Sequence, residues 1–84
     1  MKIIYSPNFV RNYKKLPEEI KALAEKKEKT FRHNPYNPSL KTHKLHGELR
    51  DFWSFSINYK YRIIFEFIDE GNVYLHTVGP HDIY

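Results

Sequence analysis

Three basic side chains in the second half of the chain, His43, Arg62 and His81, have the chemistry needed to cleave RNA. Attack by the RNA's own 2′-hydroxyl requires a proton acceptor, a proton donor and a fixed cation beside the phosphorus, and it requires no metal. Imidazole exchanges protons near neutral pH, and a guanidinium can hold two phosphate oxygens without losing its charge. We therefore predict His43 as general base, His81 as general acid and Arg62 as the phosphate-binding cation. The two histidine roles are interchangeable at this level.

Further polar side chains accompany this set. Four residues that precede the aromatic strands are predicted to bind RNA: Lys41, Lys44, His46 and Arg50. Lys41, Lys44 and Arg50 are predicted to contact phosphates, whereas His46 could instead support a catalytic residue or be an ordinary loop residue. Tyr84 is the last residue of the sequence and is predicted to stack on a base or to orient the phosphate.

Each assignment has a structural alternative. Arg62 could form a salt bridge across a sheet with Glu66 or Glu48 instead of binding phosphate. His43 could be an ordinary surface histidine at a strand edge, and His81 an ordinary residue near a chain terminus. Deciding between these readings requires the positions of the side chains.

The sequence predicts no metal site and no cofactor. The five histidines include one close pair, His43 and His46, and a strand or turn presents such a pair poorly for chelation. The chain has no cysteine, so it offers no thiolate ligand and no disulfide. The lack of cysteine favours a reducing, cytoplasmic setting.

Length and composition predict a single domain, residues 1–84, with a small core. A chain of this size buries only roughly 60–65% of its unfolded surface, and here aromatic side chains supply much of that core. The formal net charge of +4 favours a polyanionic partner, either nucleic acid or an acidic protein segment. No apolar run approaches the roughly 20 residues that cross a bilayer, and the apolar stretch after Lys2 is too short for a signal peptide.

The first half of the sequence predicts a strand and two helices. A run rich in β-branched residues over 2–6 predicts the strand and ends at Ser6. Ser6 and the following Pro7 are typical of a helix cap and a first helical position. A second helix is predicted from Pro17 to about His33, where apolar residues recur every three or four positions. Two Asn-Pro steps within 34–39 then predict a loop.

The second half predicts strands joined by hairpins. Alternating patterns cover 52–58, 59–68 and 73–78, with a short strand over 41–45 and a hairpin turn over 69–72. The predicted fold is α+β, with about four antiparallel strands and two helices packed on one face of the sheet. Arg62 has the opposite parity to Ile63, so it should point to the face that the helices leave open, hereafter the open face.

This order of elements, with four short motifs, resembles the RelE/ParE superfamily of bacterial toxins. The motifs are the run 40–47 (LKTHKLHG), the step 51–54 (DFWS), the strand 61–65 (YRIIF) and an ending with His81 and Tyr84. The resemblance covers the whole chain and is nearest to the YoeB and YafQ branches. It implies a RelE-like fold with helices on one face of the sheet.

The resemblance also assigns roles to individual residues. His43 falls where the YafQ branch has a catalytic histidine and the YoeB branch a glutamate base. Arg62 matches the catalytic arginine of the YoeB branch, and His81 the histidine near the C-terminus in both. Tyr84 matches the terminal aromatic residue. The chain departs from the family at Lys60 and Ser56, where YafQ-like enzymes carry an additional acid and histidine, and at Asp82 and Ile83, which separate His81 from Tyr84.

For function, the resemblance implies the toxin of a type II toxin–antitoxin system. Such a protein would cleave messenger RNA in the A site of the 70S ribosome and would be neutralised by a cognate antitoxin protein, without a membrane partner. Two alternatives remain open: a ParE-like inhibitor that binds DNA gyrase, and a catalytically inactive binding protein of the same fold. ParE-like chains generally lack the set formed by His43, Arg62 and His81.

Overall fold

A computed structural model describes residues 1–82 as two helices and a five-stranded mixed sheet. The elements are β1 (Lys2–Tyr5), α1 (Pro7–Lys14), α2 (Glu18–His33), β2 (His43–Lys44), β3 (Trp53–Ser56), β4 (Tyr61–Asp69) and β5 (Asn72–Pro80). Single 3₁₀ turns occupy Pro38–Leu40 and Gly47–Leu49. The strands lie in the order β1-β5-β4-β3-β2. The α+β class and the order of elements are confirmed.

The sheet corrects the prediction in two respects: it has five strands, and it is not wholly antiparallel. β1 runs parallel to β5, with Ile3 opposite Val73, whereas the other three strand pairs are antiparallel. A parallel neighbour is possible because the two helices carry the chain back across the sheet before the remaining strands begin. None of the helices in residues 1–82 is long and apolar enough to cross a membrane.

Local chemistry sets the ends of both helices. The Ser6 hydroxyl accepts a hydrogen bond from the Phe9 amide at 2.9 Å and donates one to the His76 carbonyl at 2.8 Å. The cap therefore begins α1 and ties it to β5. α2 follows Pro17, has two acidic residues in its first turn and ends at His33, immediately before Asn34.

The hydrophobic core lies between the helices and one face of the sheet. Phe31 of α2 is fully buried and stacks on Phe55 at 4.6 Å, and it meets Phe65 edge-on at 5.0 Å. Ile63 and Phe65 belong to this core, as their predicted parity requires. The opposite face of the sheet is consequently the open face.

A bulge in β5 changes which of its residues enter the core. Thr77 lies opposite Ile64 and Leu75 opposite Phe65, so His76 is an extra residue in that pairing. Simple alternation predicts Thr77 on the core side, but the core residue is Val78, which is 2% exposed. The bulge places His76 and Thr77 together on the open face.

Candidate nucleic-acid interface

Arg62 lies on the open face, as its parity predicts, near the start of the central strand β4. It pairs with Ser56 of β3 on one side and with Gly79 of β5 on the other. One terminal nitrogen, Nη1, donates to the Ser56 hydroxyl at 3.3 Å. Both flanking strands therefore fix the Arg62 backbone, and β3 also contacts its guanidinium.

The rest of the Arg62 guanidinium has no partner in the part of the chain that the structure describes. Its Nε atom is buried and makes no hydrogen bond there, and none of the ion pairs within residues 1–82 includes Arg62. The alternative in which Arg62 pairs with Glu66 is wrong, because Glu66 contacts His76 at 3.0 Å instead. Glu48 does not pair with Arg62 either. A buried N–H without a partner costs about 1–3 kcal/mol.

His43 lies on the short edge strand β2, opposite Ser54, and its side chain is exposed on the open face. Its Nδ1 atom is 3.0 Å from the Lys41 carbonyl, and its Nε2 atom is 3.4 Å from the Ser54 hydroxyl. A carbonyl can only accept a hydrogen bond, so Nδ1 must carry the proton in the neutral ring. This tautomer leaves the Nε2 lone pair available to take a proton.

Lys41 has a strained backbone at the entrance to this strand. Its φ of 51° lies in the left-handed region, which costs a non-glycine residue roughly 1–2 kcal/mol. The conformation directs the Lys41 carbonyl to His43 and brings Lys41 to the wall of a depression of about 270 Å³. Arg62, Ser56 and Lys27 line the same depression, hereafter the basic depression.

Lys27 was not among the predicted site residues. The sequence pattern placed the stem of Lys27 in the apolar stripe of α2, and no local signal marks it as a ligand. The structure shows its ammonium group 3.4 Å from the Ser39 carbonyl, at the end of the sheet where Arg62 lies. Three cations, Lys27, Lys41 and Arg62, thus surround one small concavity.

His81 lies immediately beyond β5 and is exposed. Its backbone amide donates to the Lys60 carbonyl at 2.8 Å, which extends the β4–β5 pairing by one residue. This places the His81 Cα about 8 Å from that of Arg62, on the diagonal between neighbouring strands. Tyr84, the remaining predicted catalytic residue, lies outside the described residues.

The two histidines lie on opposite sides of Arg62. His43 is two strands from β4, which separates its Cα from that of Arg62 by about 12 Å at the usual strand spacing. His81 is on the strand to the other side of β4. A phosphodiester bound to Arg62 would thus lie between the two imidazoles, and both rings must extend toward the guanidinium to reach it.

The predicted RNA-binding residues do not all share this face. Lys44 pairs with Trp53, whose ring packs against the core, so Lys44 belongs to the helix side of the sheet, opposite His43. His46 and Arg50 are exposed and flank the Gly47–Leu49 turn. Of the four predicted RNA-binding residues, Lys41 alone lines the basic depression.

The open face also carries an aromatic cavity that the sequence did not predict as a site. Ile64 is only 3% exposed although it lies on this face. Ile64, Phe52, Tyr74 and His76 line a cavity of about 530 Å³ between β5 and the start of α1. The aromatic cavity thus lies on the open face along β4, whereas the basic depression lies at the end of the sheet, where Arg62 of the open face and Lys27 of α2 line the same space.

The fold of the chain is that of the RelE/ParE superfamily of toxins. The YoeB/ParE toxin from Agrobacterium tumefaciens has a similar structure, with a TM-score of 0.80 over 96% of this chain and 99% of the other, at 15% identity. YafQ from E. coli strain BL21(DE3) gives 0.79 at 17% identity, covering 95% of this chain and 92% of the other. In the YoeB–YefM complex from Staphylococcus aureus the similar chain gives 0.77 at 20% identity, covering 96% and 97%.

These structures bear out the predicted resemblance to the YoeB and YafQ branches at the level of the fold. No family model matches the sequence, and no curated protein matches it.

Proposed function

We propose that this protein is the toxin of a type II toxin–antitoxin system and that it cleaves messenger RNA on the ribosome. The observation that carries the proposal is the Arg62 guanidinium: its Nε is buried without a partner in residues 1–82, beside a depression lined by two lysines. A site of this kind suits a phosphodiester, since a planar guanidinium can hold two oxygens at once.

In the proposed reaction, His43 removes the proton from the 2′-hydroxyl through Nε2. The resulting oxyanion attacks the adjacent phosphorus, forming a 2′,3′-cyclic phosphate and breaking the bond to the 5′-oxygen. His81 gives a proton to that leaving oxygen. Arg62, with Lys41 and Lys27 nearby, stabilises the additional negative charge on the phosphorane. Each proton removed by His43 is matched by one delivered by His81, so no metal or cofactor is needed.

The arrangement supports a need for the ribosome. His43 and His81 would approach the phosphodiester from opposite sides of Arg62, and the basic depression is small, about 270 Å³. RNA bound there by itself would sample many orientations, and holding the 2′-hydroxyl in line with the scissile bond is a large part of the catalytic task. We propose that the ribosomal A site supplies this alignment and that free RNA is a poor substrate.

We also propose a cognate antitoxin as a stable partner. A similar chain forms the YoeB–YefM complex from Staphylococcus aureus. This chain has a net charge of +4, which would favour an acidic, initially disordered antitoxin segment that folds as it binds. Covering the open face would block the substrate and neutralise the toxin.

Toeprinting of a ribosome-programmed translation reaction tests the proposed activity. Cleavage should be seen with the purified protein and lost in Arg62→Gln and His81→Gln. Arg32→Gln and His33→Gln are matched controls, since both residues are exposed near the end of α2, away from the open face. Intact messenger RNA together with inhibited gyrase supercoiling would instead identify a ParE-like activity, and inactivity in both assays would identify a binding protein without catalysis.

A further inference from the structure

The aromatic cavity on the open face contains three rings, of which the His76 ring contacts the other two. The Phe52 and His76 rings are 4.6 Å apart with a 36° tilt, and Tyr74 meets His76 edge-on at 4.7 Å. Ile64 forms an apolar part of the wall, and Thr77 is beside it. The volume of about 530 Å³ is within the usual range for sites that bind small molecules, about 300–1,000 Å³.

The ring cluster is held in place before any ligand binds. The His76 Nε2 atom is 3.0 Å from the Glu66 carboxylate, which fixes the imidazole against β4. The His76 carbonyl receives hydrogen bonds from Ser6 at 2.8 Å and from Asn8 at 3.4 Å, which fix the backbone of the bulge. Rings that are already ordered lose little conformational entropy when a flat ligand stacks on them.

The Arg11 side chain beside the cavity favours a ligand whose stacking ring is joined to an anionic group. Among the described residues that line the cavity, Arg11 alone carries a permanent charge. The Glu66 carboxylate contacts His76 at 3.0 Å but is not part of the cavity lining. Arg11 is exposed at the rim, where one of its terminal nitrogens contacts the Asn8 side chain at 3.1 Å. An aromatic surface with an arginine beside it is the combination that binds a base and its phosphate in single-stranded nucleic acids.

We propose that this cavity is a nucleotide subsite: one base of single-stranded RNA stacks on the cluster of Phe52, Tyr74 and His76, and Arg11 contacts the adjoining phosphate. The inference rests on the proposed function for the identity of the polymer. Arg62, Ile64 and Glu66 lie along the same face of β4, so the cavity begins about 7 Å from Arg62 and reaches about 13 Å from it. One RNA strand can therefore occupy both sites.

A protein segment fits this cavity less well. An extended peptide gains most of its affinity by adding to a free sheet edge, whereas the cavity lies on the face of two paired strands, β4 and β5. An acidic antitoxin segment could contact Arg11 but would leave three flat rings without a flat partner. Binding of an antitoxin segment in the cavity is the competing outcome of the test.

Binding of a labelled 2′-O-methyl RNA oligonucleotide, measured by fluorescence anisotropy, tests the proposal. This probe lacks the nucleophilic hydroxyl, so binding is read without cleavage. Tyr74→Leu should weaken binding at least about fivefold, the lower end of the effect of removing one stacking ring. Arg11→Gln should weaken it and reduce the slope of log affinity against log salt by about one. Tyr36→Leu and Lys14→Gln are the matched controls, since neither residue lines the cavity, and both should bind as the wild type does.

Equal binding by Tyr74→Leu, Arg11→Gln and their controls would overturn the proposal. So would unchanged oligonucleotide binding combined with weaker antitoxin binding, which would make the cavity a protein-docking site. If Tyr74→Leu does not fold, the exposed Arg11 still decides the matter through the salt slope. If the protein does not cleave messenger RNA but binds the oligonucleotide in a Tyr74-dependent way, the proposed nuclease activity is refuted and the nucleotide subsite is supported.

Discussion

Arg62 and Ser56 provide a test in which stability and activity should change in opposite directions. Arg62 is a partly buried, positively charged side chain. Its Nε has no hydrogen-bond partner within residues 1–82, and its Nη1 donates to the Ser56 hydroxyl at 3.3 Å. The double variant Arg62→Met with Ser56→Ala replaces both polar partners by apolar groups, and methionine retains much of the length of arginine.

The expected stabilities follow from the groups left without partners. Removing the buried Nε relieves a cost of about 1–3 kcal/mol, while the long Nη1 bond contributes about 1 kcal/mol at most. The double variant should therefore be as stable as the wild type or up to about 2 kcal/mol more stable. Ser56→Ala alone removes the only partner of Nη1 in the described chain and should lower the free energy of unfolding by about 1 kcal/mol.

Urea denaturation of wild type, both single variants and the double variant gives the free energies and the coupling between the two sites. In thermal melts, 1 kcal/mol corresponds to about 4–8 °C for a domain of this size. Ribosome-programmed cleavage is measured on the same preparations. Cleavage should fall at least about 100-fold in both variants that lack Arg62, the usual effect of losing a donor to a transition-state oxyanion.

A double variant more than about 2 kcal/mol less stable than the wild type would refute this reasoning, because Arg62 would then be a structural residue whose contacts outweigh its desolvation. Unchanged cleavage in a stable Arg62→Met protein would refute the catalytic role directly. Loss of cleavage with preserved stability is the outcome that the geometry requires.

Three other predictions concern the histidines and the β1 edge. The cleavage rate should be bell-shaped against pH if His43 and His81 exchange the two protons, and a flat profile between about pH 5 and pH 8 would contradict that pairing. His43→Ala should abolish cleavage with little change in melting temperature, since the side chain is exposed and its two polar contacts are with Lys41 and Ser54; a large drop in melting temperature would indicate a structural histidine. Burial, with a hydrogen bond to Glu28, raises the pKa of Tyr5 above its ordinary value of 10.0. The folded state therefore favours the neutral phenol. The stability that this preference contributes is complete below pH 10 and is lost as pH rises through the folded-state pKa. Urea titrations near pH 9 and near pH 11 should accordingly show a smaller loss of stability in Tyr5→Phe than in the wild type, and equal losses would show that Tyr5 is not the group responsible.

Features set by local chemistry were predictable from the sequence. Ser6 with Pro7 begins α1, the Asn34-Pro35 step follows the end of α2, and both signals depend on groups within a few residues. The face of Arg62 followed from counting alternate residues from Ile63, because β4 is regular there. These are properties of single elements and need no knowledge of their neighbours.

Features that depend on pairing between distant strands were not predictable. No glycine or proline marks the bulge at His76. Counting alternate residues along β5 from Leu75 therefore places Thr77 in the core, whereas the buried residue is Val78. The position of β1 beside β5 depends on how the helices cross the sheet. The candidate site shows the same division: His43 and Arg62 were predicted from residue type and position, whereas their contacts with Ser54 and Ser56 arise only from the register of β2, β3 and β4.

The place of β5 in the sheet has a consequence for synthesis of the protein. β5 lies between β1 and β4, yet it contacts residues 70 positions earlier in the chain. During translation β1 emerges first and has no neighbour until β5 has been made. Because pairing between such distant segments forms slowly, the nascent polypeptide carries an exposed strand for most of its elongation. The open face is likewise incomplete until β5 has paired with both β1 and β4.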